Sequence, residues 1–189
     1  MKLHLGCGPV YLDGWINIDI CIDGYTWLAI ERPDIMNYNK TTLNNYYKYS
    51  WGEREHNLAV VDKFMNISKF PYPYDDNSVD EILIIGTFEH FDKDEGIKLL
   101  KEWHRILKPD RRVIIDVPDM VETMRYLEGN PEWAIRLIYG SQKNKYAFHK
   151  WGYTLETLSD TCKEIGFKIT NEINLVEHGY PMFTIEAIK

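Results

Sequence analysis

Leu3-His4-Leu5-Gly6-Cys7-Gly8-Pro9 opens the chain, and Ile16-Asn17-Ile18-Asp19-Ile20 follows it closely. An apolar strand runs directly into two glycines, and a second apolar strand ends in a carboxylate. In α/β proteins this pairing holds the ribose and the polar tail of a nucleotide-like ligand. Glycine lets backbone N–H groups come near a ligand where a Cβ would clash. The Asp19 carboxylate can accept hydrogen bonds from two ribose hydroxyls. The third small residue of a dinucleotide fingerprint is absent: Val10 or Tyr11 stands in its place. A helical crossover takes about a dozen or more residues, and only Pro9 to Trp15 separate Gly8 from Ile16. The first crossover is therefore expected to be a tight loop or a single turn. Taken alone, the segment is also compatible with a glycine-rich turn between two core strands.

Working outward, the 189 residues predict one domain spanning 1–189, with an insertion at about 21–57. An apolar fraction of 44% beside 27% charged residues describes a globular chain with a sizeable core. The chain contains no apolar run of about 18 residues, so no membrane span is expected. The first strand starts almost at Met1, which leaves no room for a signal segment. Cys7, Cys21 and Cys162 are odd in number and widely spaced, which excludes a disulfide framework and suits the cytoplasm. A net charge of −7 argues against nucleic acid as the main partner. Lys143, Lys145 and Lys150 read as a solvated basic face.

The element order follows from periodicity and punctuation. Strands are expected at Leu3–Leu5, Ile16–Ile20, Ala59–Met65, Glu81–Ile85 and Arg112–Val117, the last stopped by Pro118. Thr41–Tyr49 is a candidate helix capped by Thr41 or Thr42. Residues 70–78 form a turn-rich connector. Asp94–Lys108 reads as a helix burying Ile97, Leu100, Trp103, His104 and Leu107, with Pro109 as its stop. Helices follow at Met120–Leu127 and Pro131–Ile138. A further helix, Thr154–Ile165, is capped by Thr154 and has Gly166 just past its end. Lys168–Leu175 and Pro181–Ile188 close the chain as a strand pair around Glu177–Tyr180. Alternation that ends in two successive strands predicts an α/β, Rossmann-like, mostly parallel sheet. One strand is antiparallel, helices lie on both faces, and the first crossover is short.

Four stretches then carry a family resemblance. They are Leu5-Gly6-Cys7-Gly8-Pro9 with Asp19; Phe70-Pro71-Tyr72 with Asp76-Asn77-Ser78-Val79-Asp80-Glu81-Ile82; Phe88-Glu89-His90-Phe91; and Arg105-Ile106-Leu107-Lys108-Pro109 with Val113-Ile114-Ile115-Asp116-Val117-Pro118-Asp119. In this order, with Gly166-Phe167 after the last helix, the chain resembles the class I S-adenosylmethionine-dependent methyltransferases of the type 11 kind. The resemblance implies S-adenosylmethionine as cofactor. It places Gly6, Cys7 and Gly8 beside the methionyl part, Asp19 on the ribose hydroxyls, and the Asn66 carbonyl on the adenine amine. It also places the Ile67 N–H on the ring, and Gly86 and Thr87 near the sulfonium. The family's N-terminal helical extension is missing, so substrate cover must come from 21–57, from 119–153, or from a second subunit.

Methyl transfer from a sulfonium is an in-line displacement, so positioning supplies much of the rate. A base is needed only where the acceptor keeps its proton at neutral pH. His90, beside Glu89, is a candidate base, with a structural tie between strand and helix as the plainer alternative. His149, in the aromatic-basic loop 146–153, is a candidate for the acceptor site. Tyr146 and Tyr153 are candidate acceptor contacts, Trp103 and His104 read as packing residues, and Asp119 either faces the cleft or caps the next helix. No HExxH or paired CxxC spacing argues for a metal. The expected function is methylation of O or N on a small-molecule or glycan-type acceptor. Two other readings stay open, a methyltransferase for protein or nucleic acid and an inactive cofactor-binding regulatory module. A nicotinamide oxidoreductase is disfavoured by the short glycine loop. The oligomeric state is open, a homodimer included.

Overall fold

The protein is described by a computed structural model covering residues 1–46, 58–173 and 179–189, with 171–173 as backbone only. Seven strands form the main sheet: β1 (Lys2–Leu5), β2 (Ile16–Asp19), β3 (Lys63–Phe64), β4 (Val79–Ile85), β5 (Leu107–Pro118), β6 (Lys168–Ile173) and β7 (Met182–Ile188). Their order is β6-β7-β5-β4-β1-β2-β3. All pairs from β5 through β3 are parallel, and β7 runs antiparallel to both β5 and β6. This is the mostly parallel sheet that the alternation predicts. Because β1 to β5 all point the same way, their carboxyl ends share one edge, where α/β sheets hold ligands.

The pleat sends alternate residues to opposite faces. Leu3, Leu5, Ile82, Ile84, Val113 and Ile115 face one core, packed by Leu99, Leu100, Trp103 and Ile106 of α2 (Lys93–Ile106). Leu158 and Cys162 of α5 (Leu155–Ile165) complete it. Leu83, Ile85 and Ile114 face the other way, against Val10, Leu12 and Tyr46. The continuous apolar run Ile82–Ile85 is thus buried on both sides, as expected of a central parallel strand.

The first crossover contains no helix. Tyr11–Leu12 forms a two-residue strand with Lys40–Thr41, and a buried polar network fixes the loop. Asn17 Oδ1 accepts the Leu12 N–H at 2.8 Å and contacts His4 Nδ1 at 3.0 Å. An amide oxygen only accepts, so His4 carries its proton on Nδ1, and its Nε2 accepts the Tyr46 hydroxyl at 2.7 Å. Asn17 Nδ2 donates to the carbonyl oxygens of Leu12 and Trp15. Polar groups sealed in this way replace the packing that a crossover helix would supply.

Several boundaries differ from the sequence reading. Ala59–Met65 is split: Ala59–Val61 pairs with Thr26–Leu28, and β3 starts after Asp62. The stretch read as an insertion includes, among its described residues, the helix α1 (Pro33–Asn39), which weak periodicity had hidden. The expected helix Thr41–Tyr49 is, within the described residues, the end of a strand and a 3-10 turn at Leu43–Asn45, with 47–49 outside them. Helix α2 ends at Ile106 rather than Lys108, because Pro109 removes an N–H and biases the residue before it toward extended backbone. Leu107 is already extended and pairs with Val79. β6 ends at Ile173 in the described residues, and Glu177 and His178 lie outside them. The remaining helices are α3 (Met120–Tyr126) and α4 (Pro131–Tyr139).

Candidate active site

A cleft of about 690 Å³ lies along the carboxyl edge of the sheet. Ligand sites commonly fall between about 300 and 1,000 Å³. Gly6, Cys7, Gly8, Asp19, Asn66, Ile67, Gly86, Thr87, His90 and His149 all line it, so the structure brings every predicted site residue into one space. Ile22, Tyr25 and Tyr46, and also Trp133, Arg136 and Tyr146, contribute to its lining.

The glycine loop and Asp19 form a single unit. Asp19 Oδ2 accepts the Gly8 N–H at 2.8 Å, and its Oδ1 accepts the Ile20 N–H at 2.7 Å. The Cys7 N–H donates to the Ile18 carbonyl at 3.1 Å. The expectation that the loop N–H groups face a ligand is therefore corrected at Cys7 and Gly8. With no helix behind the loop, these N–H groups bind β2 instead. Burial pushes the Asp19 carboxyl above its ordinary pKa, against the two backbone N–H bonds that lower it. Gly6 has φ +63°, and a Cβ there would sit 2.3 Å from Thr87 Cγ2. The Thr87 hydroxyl donates to the Gly6 carbonyl, so β1 and β4 close on each other at this point. A second correction falls on Asn66. Its Oδ1 accepts both the N–H and the hydroxyl of Ser68, at 3.0 and 2.8 Å, which occupies the carbonyl meant for an adenine amine.

At the far end, Glu89 and His90 sit in a 3-10 turn after β4, and His149 arrives from the loop after α4. Gly140, at φ +77°, lets that loop dock: a Cβ there would lie 2.3 Å from the Ala147 carbonyl oxygen and 2.9 Å from His149 N. His90 Nδ1 contacts the Phe148 carbonyl at 2.9 Å, and His149 Nδ1 the Leu137 carbonyl at 2.7 Å. A carbonyl only accepts, so each ring carries its proton on Nδ1 and leaves Nε2 with a lone pair. Burial first, then the charge of His149, brings the His90 pKa down to about 4, although the Phe148 carbonyl opposes this. Burial likewise lowers the pKa of His149. Burial, reinforced by the charge of Asp116, pushes Glu89 up to about 8.

Tyr153, Asp119, Trp103 and His104 fall outside the cleft. Tyr153 is buried and stacks on Phe88 at 5.1 Å, so it is a core residue rather than an acceptor contact. Asp119 caps α3, accepting from the N–H groups of Val121 and Glu122. Trp103 is fully buried, and His104 packs edge-on against Phe167. Lys143, Lys145 and Lys150 are exposed along the cleft, with Lys150 paired to Glu95.

Residues 3–115 match the family described as Methyltransferase domain. The chain belongs to that family. It is, as the sequence predicts, a class I S-adenosylmethionine-dependent methyltransferase. Solved methyltransferases share the fold. One from Methanosarcina mazei is 17% identical with a TM-score of 0.57, over 100% of this chain and 91% of that one. A Thermotoga maritima enzyme described as a possible histamine N-methyltransferase is 15% identical with a TM-score of 0.53, over 99% and 80%. The 1,6-didemethyltoxoflavin-N1-methyltransferase of Burkholderia thailandensis, solved with 1,6-didemethyltoxoflavin and S-adenosylhomocysteine, is 14% identical with a TM-score of 0.55, over 100% and 70%. No curated protein matches the chain.

The cleft of this methyltransferase fits its cofactor. Each Asp19 oxygen accepts one protein N–H and keeps further lone-pair capacity for a ribose hydroxyl. A Cβ built on Gly8 would meet nothing within 4 Å, which leaves open space beside that carboxylate. The Ile67 N–H has no partner among the described residues. Sequence reasoning missed Gly140, Trp133 and Arg136, and it treated Glu89 only as the neighbour of His90. Gly140 alone left a usable trace, a glycine closing an apolar helix.

Proposed function

We propose that the enzyme methylates an oxygen or nitrogen of a small-molecule or glycan-type acceptor. One observation carries the reading: the Gly6–Gly8/Asp19 unit and the Glu89/His90/His149 group line the same cleft. Gly6, Cys7, Gly8, Asp19, Ile67, Gly86 and Thr87 hold the cofactor, and Asn66 contributes through its NH₂ rather than its carbonyl. S-adenosylmethionine supplies an electrophilic methyl group, and this chain's residues align the acceptor with it. His90 and His149 each keep an unprotonated Nε2 and can take the proton that a hydroxyl acceptor loses.

Aromatic and basic side chains along the cleft support a compact acceptor. Trp133 stacks on Tyr180 at 5.5 Å, and Arg136 and Lys145 lie over the Trp133 and Tyr146 rings at 5.3 and 4.9 Å. Such a rim suits an acceptor that carries negative charge. Among the described residues no helix is long and apolar enough to cross a membrane, and Cys7, Cys21 and Cys162 are all free. Both features support a cytoplasmic enzyme.

The test is transfer of a labelled methyl group from S-adenosylmethionine to a panel of hydroxyl- and amine-bearing sugars, sugar nucleotides and aromatic small molecules, with RNA and unfolded protein alongside. Turnover on a small acceptor is expected. Labelling of RNA or protein instead, or cofactor binding without turnover on any arm, would contradict this reading.

A further inference from the structure

Three donor groups converge at one end of the cleft in a way that neither a proton-transfer role nor a structural role uses up. Glu89, His90 and His149 each offer a ligand atom, and these atoms lie within 4.8 Å of one another. The imidazole rings stand edge to face with centroids 4.7 Å apart. Both rings donate from Nδ1 to backbone carbonyls, of Phe148 and Leu137. This is the outer-shell bond that fixes a metal-binding histidine and leaves Nε2 basic. The third member is a carboxylate at 4% exposure whose Oε2 has no hydrogen-bond partner among the described residues. A buried, unsatisfied carboxylate oxygen is costly and calls for a partner. The other oxygen, Oε1, stands 3.8 Å from His149 Nε2, beyond hydrogen-bond range.

We propose that Glu89, His90 and His149 form a site for one divalent transition-metal ion of the zinc, cobalt or manganese class. Two neutral imidazoles and one carboxylate select such ions over magnesium or calcium, which prefer all-oxygen sets. Ligand bonds of about 2.0–2.2 Å would draw the three donors inward from their present spacing through small side-chain rotations. Three protein ligands leave at least one coordination position for a further ligand. The Nδ1 carbonyl partners set the tautomer of both rings, so each presents its Nε2 lone pair before the ion arrives. The site also explains why Gly140 admits the 147–149 segment so closely: it brings His149 to Glu89.

Binding of the ion does not depend on the methyltransferase reading, but its role in turnover does. In that role the open position takes the acceptor oxygen and lowers its proton affinity. The acceptor proton passes to water, and the O–CH₃ bond forms as the S–CH₃ bond breaks. His90 and His149 then act as ligands rather than as bases.

The experiment uses the full chain stripped with a chelator. Zn²⁺ and Mn²⁺ are titrated calorimetrically, Co²⁺ is followed by its visible absorption, and S-adenosylhomocysteine is titrated into the same stripped protein. One equivalent of metal is expected to bind. Glu89→Gln and His149→Ala should each weaken binding by about tenfold or more, while His104→Ala, a histidine outside the cluster, leaves it unchanged. Circular dichroism melts check that each variant is folded. The proposal is overturned if the stripped wild type takes up no stoichiometric metal, or if a Glu89→Gln/His149→Ala double variant binds as well as wild type. Mg²⁺ binding more tightly than Mn²⁺ would overturn the imidazole assignment. S-adenosylhomocysteine binding without metal uptake would remove this proposal and leave the cofactor reading standing.

Discussion

Asp19 and Gly6 show how much one position can decide. Asp19 anchors the glycine loop through the Gly8 N–H and still faces the cleft. Gly6 is fixed by both conformation and space. Its φ of +63° disfavours any side chain, and a Cβ would press into Thr87 at 2.3 Å. Gly6→Ala should therefore destabilise the protein by about 3 kcal/mol, the sum of left-handed strain and overpacking, read as a fall in the denaturation midpoint. His4 gives a pH prediction. Burial lowers its pKa from 6.5 to about 4, against the pull of Asn17. The unfolded chain takes up this proton near pH 6.5, and the folded chain refuses it until about pH 4. This contribution to stability is full above pH 6.5 and is lost as pH falls toward 4. At about 1.4 kcal/mol per pH unit the loss approaches about 3 kcal/mol. Urea unfolding across that range should show a steeper fall for wild type than for His4→Gln. The glycines and Asp19 were legible because two glycines directly follow the first strand pattern and a carboxylate falls near the end of the second. The role of His4 was not legible, since its partners Asn17 and Tyr46 meet it only in the folded state.

Among the elements, α2 shows the clearest agreement between local sequence and structure. Asp92 and Glu95 form a reciprocal capping box at its start, and Leu99, Leu100, Trp103 and Ile106 bury one stripe. Asp92→Ala should cost about 1 kcal/mol in thermal or chemical denaturation, with little effect on cofactor binding. The expected helix end was two residues late, because Leu107 is as apolar as the helix face but pairs with Val79 instead. Ala59–Met65 reads as one strand because apolar residues stand on both sides of Asp62-Lys63, although the chain switches sheets at Asp62. There the Asp62 N–H binds the Asn17 carbonyl and its carboxylate receives the Asn17 N–H. The loop after α4 brings His149 to the cleft. Gly140→Ala forces Ala147 and His149 away, given the 2.3 and 2.9 Å distances to its Cβ. A displacement of about 1 Å at a reacting centre can cost about a hundredfold. We expect kcat to fall at least tenfold while the dissociation constant for S-adenosylhomocysteine changes less than about threefold.

Across the whole molecule, the mostly parallel sheet was legible because strands alternate with helices until the last two strands, which follow each other directly. Solved relatives of 15–17% identity keep the same frame, which a pattern of burial can specify without shared residues. The cofactor end of the cleft follows from that frame, because it is made at the ends of consecutive strands. The Glu89/His90/His149 group does not: Glu89 and His90 follow β4, whereas His149 comes from beyond α4, and only the folded chain joins them. A spacing rule looks for ligands along one segment, so it missed a group assembled from two. The central claim is that the cleft holds S-adenosylmethionine with Asp19 on its ribose. Calorimetric titration of S-adenosylhomocysteine into the wild-type chain and into Asp19→Ala tests it most directly. We predict one equivalent bound by wild type and a loss of about a hundredfold in the variant, as two hydrogen bonds to a charged group disappear. Absence of binding by the folded wild-type protein, or equal affinity in the variant, would contradict it.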